Sequence, residues 1–266
     1  MERTRAVLAD VQGVYSGPEG DLWKLIMGEQ IHIGGFQQSM ILAGKAGIAK
    51  GEKVLDLCSA LGAGLRFLAR FHGAKGYGLD ATEAMLSKAR AATAADGLSD
   101  SIEYRLGDVR SIPWPDGFFD VVWGEDAWCY VEDKESMIRE AARVLRPGGR
   151  VAFSDWVEGP AGWTESSAQR ICSFMKFPFI GPRAYWEGLL QKSGFEIRSS
   201  EDCTPHFAKC VDLYISMLTE QLTFDALRII GWDMEMFEAL GGEMAFMSEQ
   251  AHAGSFGRCR IVAARK

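Results

Sequence analysis

No run of about 18 apolar residues occurs anywhere in the chain, so no segment reads as a transmembrane helix. The N-terminal stretch MERTRAVLADVQ lacks the apolar core of a signal peptide. No basic run appears, and the net charge is −7, so a nucleic-acid partner is not expected. Six cysteines (Cys58, Cys129, Cys172, Cys203, Cys210, Cys259) form no C-x-x-C pair. Without a secretory signal they point to reduced thiols in a cytoplasm. Histidine is scarce: His32, His72, His206 and His252 are scattered without metal-ligand spacing, and no metal is expected. Repeats and low-complexity segments are missing as well.

What is present is a 266-residue chain with 47% hydrophobic residues, enough for one α/β domain with additions. The most informative stretch runs from Pro113 to Asp155. Phe118 to Trp123 is a short apolar, β-rich run, the mark of a buried parallel strand. An acidic loop follows, carrying Glu125, Asp126, Trp128 and Tyr130. Met137 to Leu145 has helical spacing, and Pro147-Gly148-Gly149 is expected to stop that helix. Val151 to Asp155 then restarts a strand. In open α/β sheets ligands sit at the carboxyl ends of the strands, so this loop delivers two carboxylates and two aromatics to a ligand site.

Upstream the same alternation holds. Strands are expected at Lys53–Leu57, Gly76–Leu79 and Ile102–Leu106, with helices at Gly62–Phe71 and Thr82–Ala95, the second capped by Thr82. Downstream, a helix at Arg183–Ser193 precedes a sixth strand at Phe195–Ser199, and Arg258–Ala264 is the seventh. This order predicts a mainly parallel, doubly wound sheet. Almost sixty residues separate the last two strands, too many for a plain loop, and their helical spacing predicts an insertion. It either caps the sheet or serves dimerisation, so a homodimer stays open. The expected division is residues 1–50 as a helical lid, 51–199 as the core, 200–257 as the insertion and 258–266 as the last strand.

Val54-Leu55-Asp56-Leu57-Cys58-Ser59-Ala60-Leu61-Gly62-Ala63-Gly64 is a strand and turn of the kind that meets a nucleotide. A dinucleotide fingerprint needs a third glycine after Gly62-Ala63-Gly64, and Phe67 stands there, which disfavours a NAD-dependent dehydrogenase. Asp80 ends the second strand 24 residues after Asp56, near the spacing expected for a ribose-binding acid.

These motifs resemble those of the class I S-adenosylmethionine (SAM)-dependent methyltransferases, which have a Rossmann-like fold. The family's P-x-P-D-x-x-F-D-x-V pattern is matched by Pro113, Pro115, Asp116, Phe119, Asp120 and Val122. Its D-x6-E-x-x-R-V-L-x-P-G-G pattern is matched by Asp133, Glu140, Arg143, Val144, Leu145, Pro147, Gly148 and Gly149. In the family's V-L-D-L-G-C-G-x-G-x-G loop the strand, Asp56 and the last glycines, Gly62 and Gly64, match, while Cys58 and Ala60 stand at two expected glycines. Those two residues predict a slightly wider loop or a shifted ligand. Gly28, Glu29, Ile31, His32 and Gly34 resemble the W-G-E-H-I-H-x-G segment of sarcosine/dimethylglycine N-methyltransferases, with Met27 and Gln30 departing from it.

The resemblance implies SAM as cofactor, S-adenosylhomocysteine (SAH) as product and a small-molecule methyl acceptor. It places Tyr15, His32, Gly34, Asp56, Cys58, Ser59, Ala60, Gly62, Asp80, Ala81, Met85, Asp108, Val109, Glu125 and Asp126 around the cofactor. Asp108 and Val109 would meet the adenine. Trp128, Tyr130, Trp156 and His206 are expected at the acceptor, and the candidate general bases are His32, His206 and either Glu125 or Asp126, none of them forced by spacing. An amine acceptor is favoured. Oxygen, sulfur, arsenic (through Cys58, Cys172, Cys203 and Cys210) and carbon acceptors stay open, as does a SAM-binding protein with non-methylating chemistry.

Overall fold

The computed structural model describes residues 7–266; the first six residues of the expected lid lie outside them. Three helices open the chain, α1 (Leu8–Ser16), α2 (Pro18–Met27) and α3 (Gly35–Ala46). The core follows as β1 (Lys53–Leu57), α4 (Ala63–His72), β2 (Lys75–Asp80), α5 (Glu83–Ala95), β3 (Ile102–Leu106) and β4 (Phe119–Glu125). It continues through α6 (Lys134–Val144), β5 (Leu145–Glu158), α7 (Glu165–Met175), α8 (Arg183–Lys192) and β6 (Phe195–Asp202). Helices α9 (Thr204–Ser216), α10 (Thr223–Ile229) and α11 (Met234–His252) lead to β7 (Phe256–Arg265).

The seven strands form one α/β sheet in the order β3-β2-β1-β4-β5-β7-β6. Pairing is parallel from β3 to β5, and β7 runs antiparallel to both β5 and β6. This is the doubly wound, Rossmann-like architecture. The chain leaves β1 toward β2 and β3, then returns to β4 on the other side. That reversal opens a crevice at the carboxyl ends of β1 and β4.

Both sheet faces are covered, which is why the central strands read as continuous apolar runs. On one face Val54, Val121, Trp123 and Val262 pack under Leu42 and Ala43 of α3 and Phe67 and Leu68 of α4. On the other, Leu55, Leu57, Val122, Val151 and Phe153 pack under Met137 and Ile138 of α6 and Trp186 and Leu190 of α8. A third cluster joins α2, α7 and the three helices of the insertion.

Several local expectations are corrected. Helix α6 ends at Val144, because Leu145 is already extended and pairs with Phe119. Pro147-Gly148-Gly149 instead belong to a bulge, since the register jumps from Phe119↔Leu145 to Val121↔Arg150. Thr82 precedes α5 but its side chain makes no cap hydrogen bond; the Thr82 N–H donates to Asp80 Oδ1 at 2.8 Å. Strand β6 runs on to Asp202 and β7 starts at Phe256, so the helical insertion is shorter than 200–257. Helices α1 and α7 were not anticipated. Helix α1 buries no residue fully: Leu8, Val11 and Tyr15 turn toward a cavity, and Val14 packs against the third cluster. Among the described residues, no helix is long and apolar enough to cross a membrane.

Candidate active site

A cavity of about 320 Å³ opens at the crevice between β1 and β4. The turn after β1 forms its floor. Cys58 and Ala60 both take left-handed backbone, with φ of 61° and 43°, and Gly62 follows at 67°. The two non-glycine residues thus keep the conformation that glycine favours, at a steric cost. Backbone and side-chain hydrogen bonds hold the turn in this shape. The Cys58 N–H donates to the Leu79 carbonyl at 2.8 Å, and the Gly62 N–H to the Ser59 carbonyl at 2.7 Å. The Ala60 N–H donates to Asp80 Oδ2 at 2.9 Å.

Four buried or half-buried carboxylates crowd this floor and the adjoining wall: Asp56, Asp80, Glu125 and Asp126. Burial pushes the Asp56 carboxyl well above the usual range, and the charges of Glu125 and Asp80 add to the rise. Burial also raises Asp80, opposed by its bonds to the Ala60 and Thr82 backbone. Glu125 accepts from Ser39 Oγ at 2.8 Å and from Trp123 Nε1 at 3.1 Å. Gly64 leaves room for these acids, since a Cβ there would lie 3.2 Å from Glu125 Oε2 and 3.4 Å from Asp56 Oδ2. At the far end Asp108, Val109 and Arg110 follow β3, and hydrogen bonds from Arg110 hold the Asp108 carboxyl below its usual value.

Tyr15 from α1 and Tyr130 from the short turn after β4 stand at the opposite wall, their hydroxyls 2.9 Å apart. Burial raises both phenols, so both stay protonated. The same pair borders a second cavity of about 10 Å³, lined also by Glu19, Trp23, Phe174 and Lys176. Burial raises the Glu19 carboxyl there, against the charge of Lys176.

Of the expected site residues, the cavity brings together Tyr15, Asp56, Cys58, Ser59, Ala60, Asp80, Ala81, Met85, Asp108, Val109, Glu125, Asp126 and Tyr130. Gly62 lies just behind the wall as the residue before α4. The others are placed elsewhere, and each for a packing reason. Trp128 is 1% exposed, stacks on Phe153 at 4.4 Å and donates to the Leu57 carbonyl. Trp156 is buried among Phe177, Phe207 and Phe256. His206 sits on α9 against Gln38 Nε2 at 3.2 Å, outside the cavity, and burial lowers its pKa. His32 is 2% exposed and is spent on Ser39 Oγ at 3.0 Å and Glu125 Oε1 at 3.3 Å. Gly34 turns the chain at φ 79° beneath Tyr214, whose hydroxyl accepts its N–H at 2.9 Å.

Asp126 reaches the wall, yet both its oxygens are engaged. Oδ1 accepts from Arg258 Nε at 2.6 Å and Oδ2 from the Ile33 N–H at 2.8 Å. It is a structural clamp rather than a free base. Its left-handed backbone, φ 54°, aims it there. Lining residues that the sequence did not mark include Glu29, Gln30 and Ile31, and also Arg110, Glu132 and, from α1, Leu8 and Val11. The first three stand in the quoted Gly28–Gly34 segment, and their neighbours His32 and Gly34 drew the attention. Arg110 carried no signal. Among the described residues, no group of three or more His, Cys, Asp or Glu is placed to hold a metal ion, so the cysteines considered for arsenic do not converge.

Comparison with known proteins agrees with this geometry. Residues 55–153 match the family model described as a methyltransferase domain. The chain is 34% identical over 187 residues to a glycine/sarcosine/dimethylglycine N-methyltransferase of Actinopolyspora halophila, covering 69% of this chain and 33% of that one. It is 29% identical over 220 residues to the 27-O-demethylrifamycin SV methyltransferase of Amycolatopsis mediterranei, covering 80% of this chain and 78% of that one. Its fold superposes on the crystal structure of a candidate sarcosine dimethylglycine methyltransferase from Galdieria sulphuraria with a TM-score of 0.85 at 19% identity, covering 94% and 97% of the two chains. The chain spans less than half the length of several other curated relatives that it matches.

The left-handed turn after β1, the acid at the end of β2 and a cavity in the size range of ligand pockets all fit a nucleoside sulfonium. With the domain match and the sheet order, they identify residues 55–153 as a methyltransferase domain with the fold of the class I SAM-dependent enzymes.

Proposed function

We propose that this protein transfers a methyl group from SAM to a small-molecule amine. The observation that carries the reading is the sign of the cavity wall. Asp56, Asp80 and Glu125 line it, Asp126 beside them is balanced by Arg258, and the Arg110 guanidinium is turned onto Asp108. A low-dielectric wall of negative sign concentrates cations, and both a sulfonium and an alkylammonium are cations.

In this reading Asp80 holds the ribose hydroxyls, and Asp108 with the Val109 amide holds the adenine. Asp56 and the Cys58–Ala60 turn hold the part between. Bound SAM supplies an electrophilic methyl group. Tyr15 and Tyr130 stand at the acceptor end. Kept neutral by burial, they offer hydroxyls and ring faces, the latter worth about 0.5–2 kcal/mol to a cation. The amine docks on the main-cavity side of the pair, since the small cavity beyond it has room for about one water; Glu19 and Lys176 behind the pair carry charges that match an acceptor's ammonium and carboxylate. The N-methyltransferase relative is named for acceptors that carry both groups.

No histidine lines the cavity among the described residues. The ammonium proton is therefore lost to water before the amine enters. The protein then aligns the lone pair and excludes water, the main demands of this displacement. A hydroxyl acceptor, as the rifamycin relative's name implies, would have to give its proton to one of the wall carboxylates.

The test is methyl transfer to glycine, sarcosine and dimethylglycine across pH, beside calorimetric binding of SAH. For an active amine, kcat/KM should climb about tenfold per pH unit toward the amine's own pKa. A plateau near pH 7 would reveal a base in the enzyme. SAH binding without transfer to any amine would sink the amine reading and leave the cofactor standing.

A further inference from the structure

At the β3 end of the cavity, the Asp108 carboxylate is held by the side chain two residues on. Arg110 Nε lies 3.0 and 2.9 Å from the two Asp108 oxygens, and Arg110 Nη2 lies 2.6 Å from Oδ2. The Arg110 backbone N–H adds a bond to Oδ1 at 2.8 Å. The guanidinium thus occupies the place from which an adenine amino group would donate to Asp108. Arg110 lines the cavity, and so does Glu132 on the loop after β4. Glu132 and Asp133 both act on the Arg110 charge. The guanidinium thus holds Asp108 while lying in the field of Glu132, which lines the same cavity, and of Asp133.

We propose that Arg110 is a positioning residue that exchanges partners when the nucleoside binds, releasing Asp108 to the adenine amino group and turning across the purine toward Glu132 and Asp133. This rests on the reading of Asp108 as the adenine acceptor.

Three physical points support the exchange. First, the Arg110 and Asp108 side chains are 48% and 40% exposed, so parting them is cheap, because exposed ion pairs contribute only about 0–1 kcal/mol. Second, the swing needs side-chain torsions alone; the backbone bond from Arg110 to Asp108 can stay and keep the carboxylate aimed. Third, a planar guanidinium stacks on a flat ring while its edge keeps hydrogen bonds, which a lysine ammonium cannot do. A bound purine would be covered on its open side and held by a charge pair formed only when it is present.

The experiment is stopped-flow association and dissociation of SAH with the wild type, Arg110→Ala, Arg110→Lys and Glu132→Gln. Arg110→Ala should raise the association rate roughly threefold, with no ion pair left to part, and the dissociation rate roughly tenfold, with no bridge left to lock. Glu132→Gln should raise the dissociation rate alone. Arg110→Lys should keep near-normal association but not slow dissociation. A dissociation rate in Arg110→Ala within about twofold of wild type, or a fall in its association rate, overturns the exchange. S-Inosylhomocysteine, with a carbonyl in place of the amino group, checks the ground beneath. If wild type binds it as well as SAH, Asp108 is not the amino acceptor, and that reading fails on its own. If it binds weakly while the Arg110→Ala rates are unchanged, Asp108 keeps its role and only the exchange falls.

Discussion

Cys58 and Ala60 are where single residues depart furthest from local rules. A side chain in the left-handed region costs roughly 1 kcal/mol or more, a cost glycine avoids. Both residues hold that conformation because neighbouring backbone bonds over-determine the turn. Ala60→Gly should therefore stabilise the protein by about 0.5–1 kcal/mol, since the strain relieved slightly exceeds the entropy that glycine adds. Thermal melts check this, and a lower melting temperature would show that the Ala60 methyl packs usefully. Asp80→Ala should cost SAH affinity tenfold or more and loosen the turn, as it removes acceptors for the Ala60 and Thr82 amides. An unchanged affinity in calorimetry would remove Asp80 from the site. Spacing placed Asp80 and Asp108 at the ends of their strands, so their position was legible. The fates of His32, Trp128 and Trp156 were not, because nothing in a linear pattern says that a polar or aromatic side chain is already satisfied in the core.

Between elements, the Asp126 clamp is the contact that matters most. It ties the turn before α3 to the loop after β4, through the Ile33 amide, and both to Arg258 on β7. Arg258 is fully buried and also donates to Ser154 Oγ at 2.6 Å. Burial works against its charge, and the Asp126 carboxylate overrides that, holding the guanidinium above its usual pKa. Removing one partner leaves an unpaired buried charge, so Asp126→Ala should cost about 3–5 kcal/mol of stability. Asp126→Ala with Arg258→Met should cost less than either single change. Denaturant unfolding of the four proteins measures the coupling, and additive losses would show that the pair is not a unit. The fold's strands and their order of appearance were legible from apolar runs and their bounding turns. Helix α7 and the bulge at Pro147–Gly149 were not, since a proline–glycine stop looks the same before a strand bulge as after a helix.

For the molecule as a whole, Asp155 introduces a pH dependence of stability. It sits fully buried on β5, its Oδ2 without a hydrogen-bond partner. Burial and the charge of Asp126 push its pKa up to about 7. The folded protein keeps this proton to about pH 7, whereas the unfolded chain loses it near the ordinary value of about 4. Between these limits the unfolded state binds fewer protons, so this group's contribution to stability falls as pH rises through the window. Asp155→Asn keeps an acceptor for the Trp156 amide and removes the titration. Its melting temperature should gain on wild type between pH 5 and pH 8. A constant difference across that range would show that Asp155 does not titrate there.

The sequence by itself determined the alternation of strands and helices, the doubly wound sheet and the acids at the ends of its strands. Those features follow from local apolar periodicity and from turns that only certain residues make. The tertiary structure alone decided which side chains share the cavity. It turned Asp126 into a clamp, withdrew His32, His206 and Trp128 from the wall, and set Arg110 against Asp108. Such outcomes depend on contacts between residues far apart in the chain, such as Asp126 with Arg258 and Tyr15 with Tyr130, and no local pattern records them.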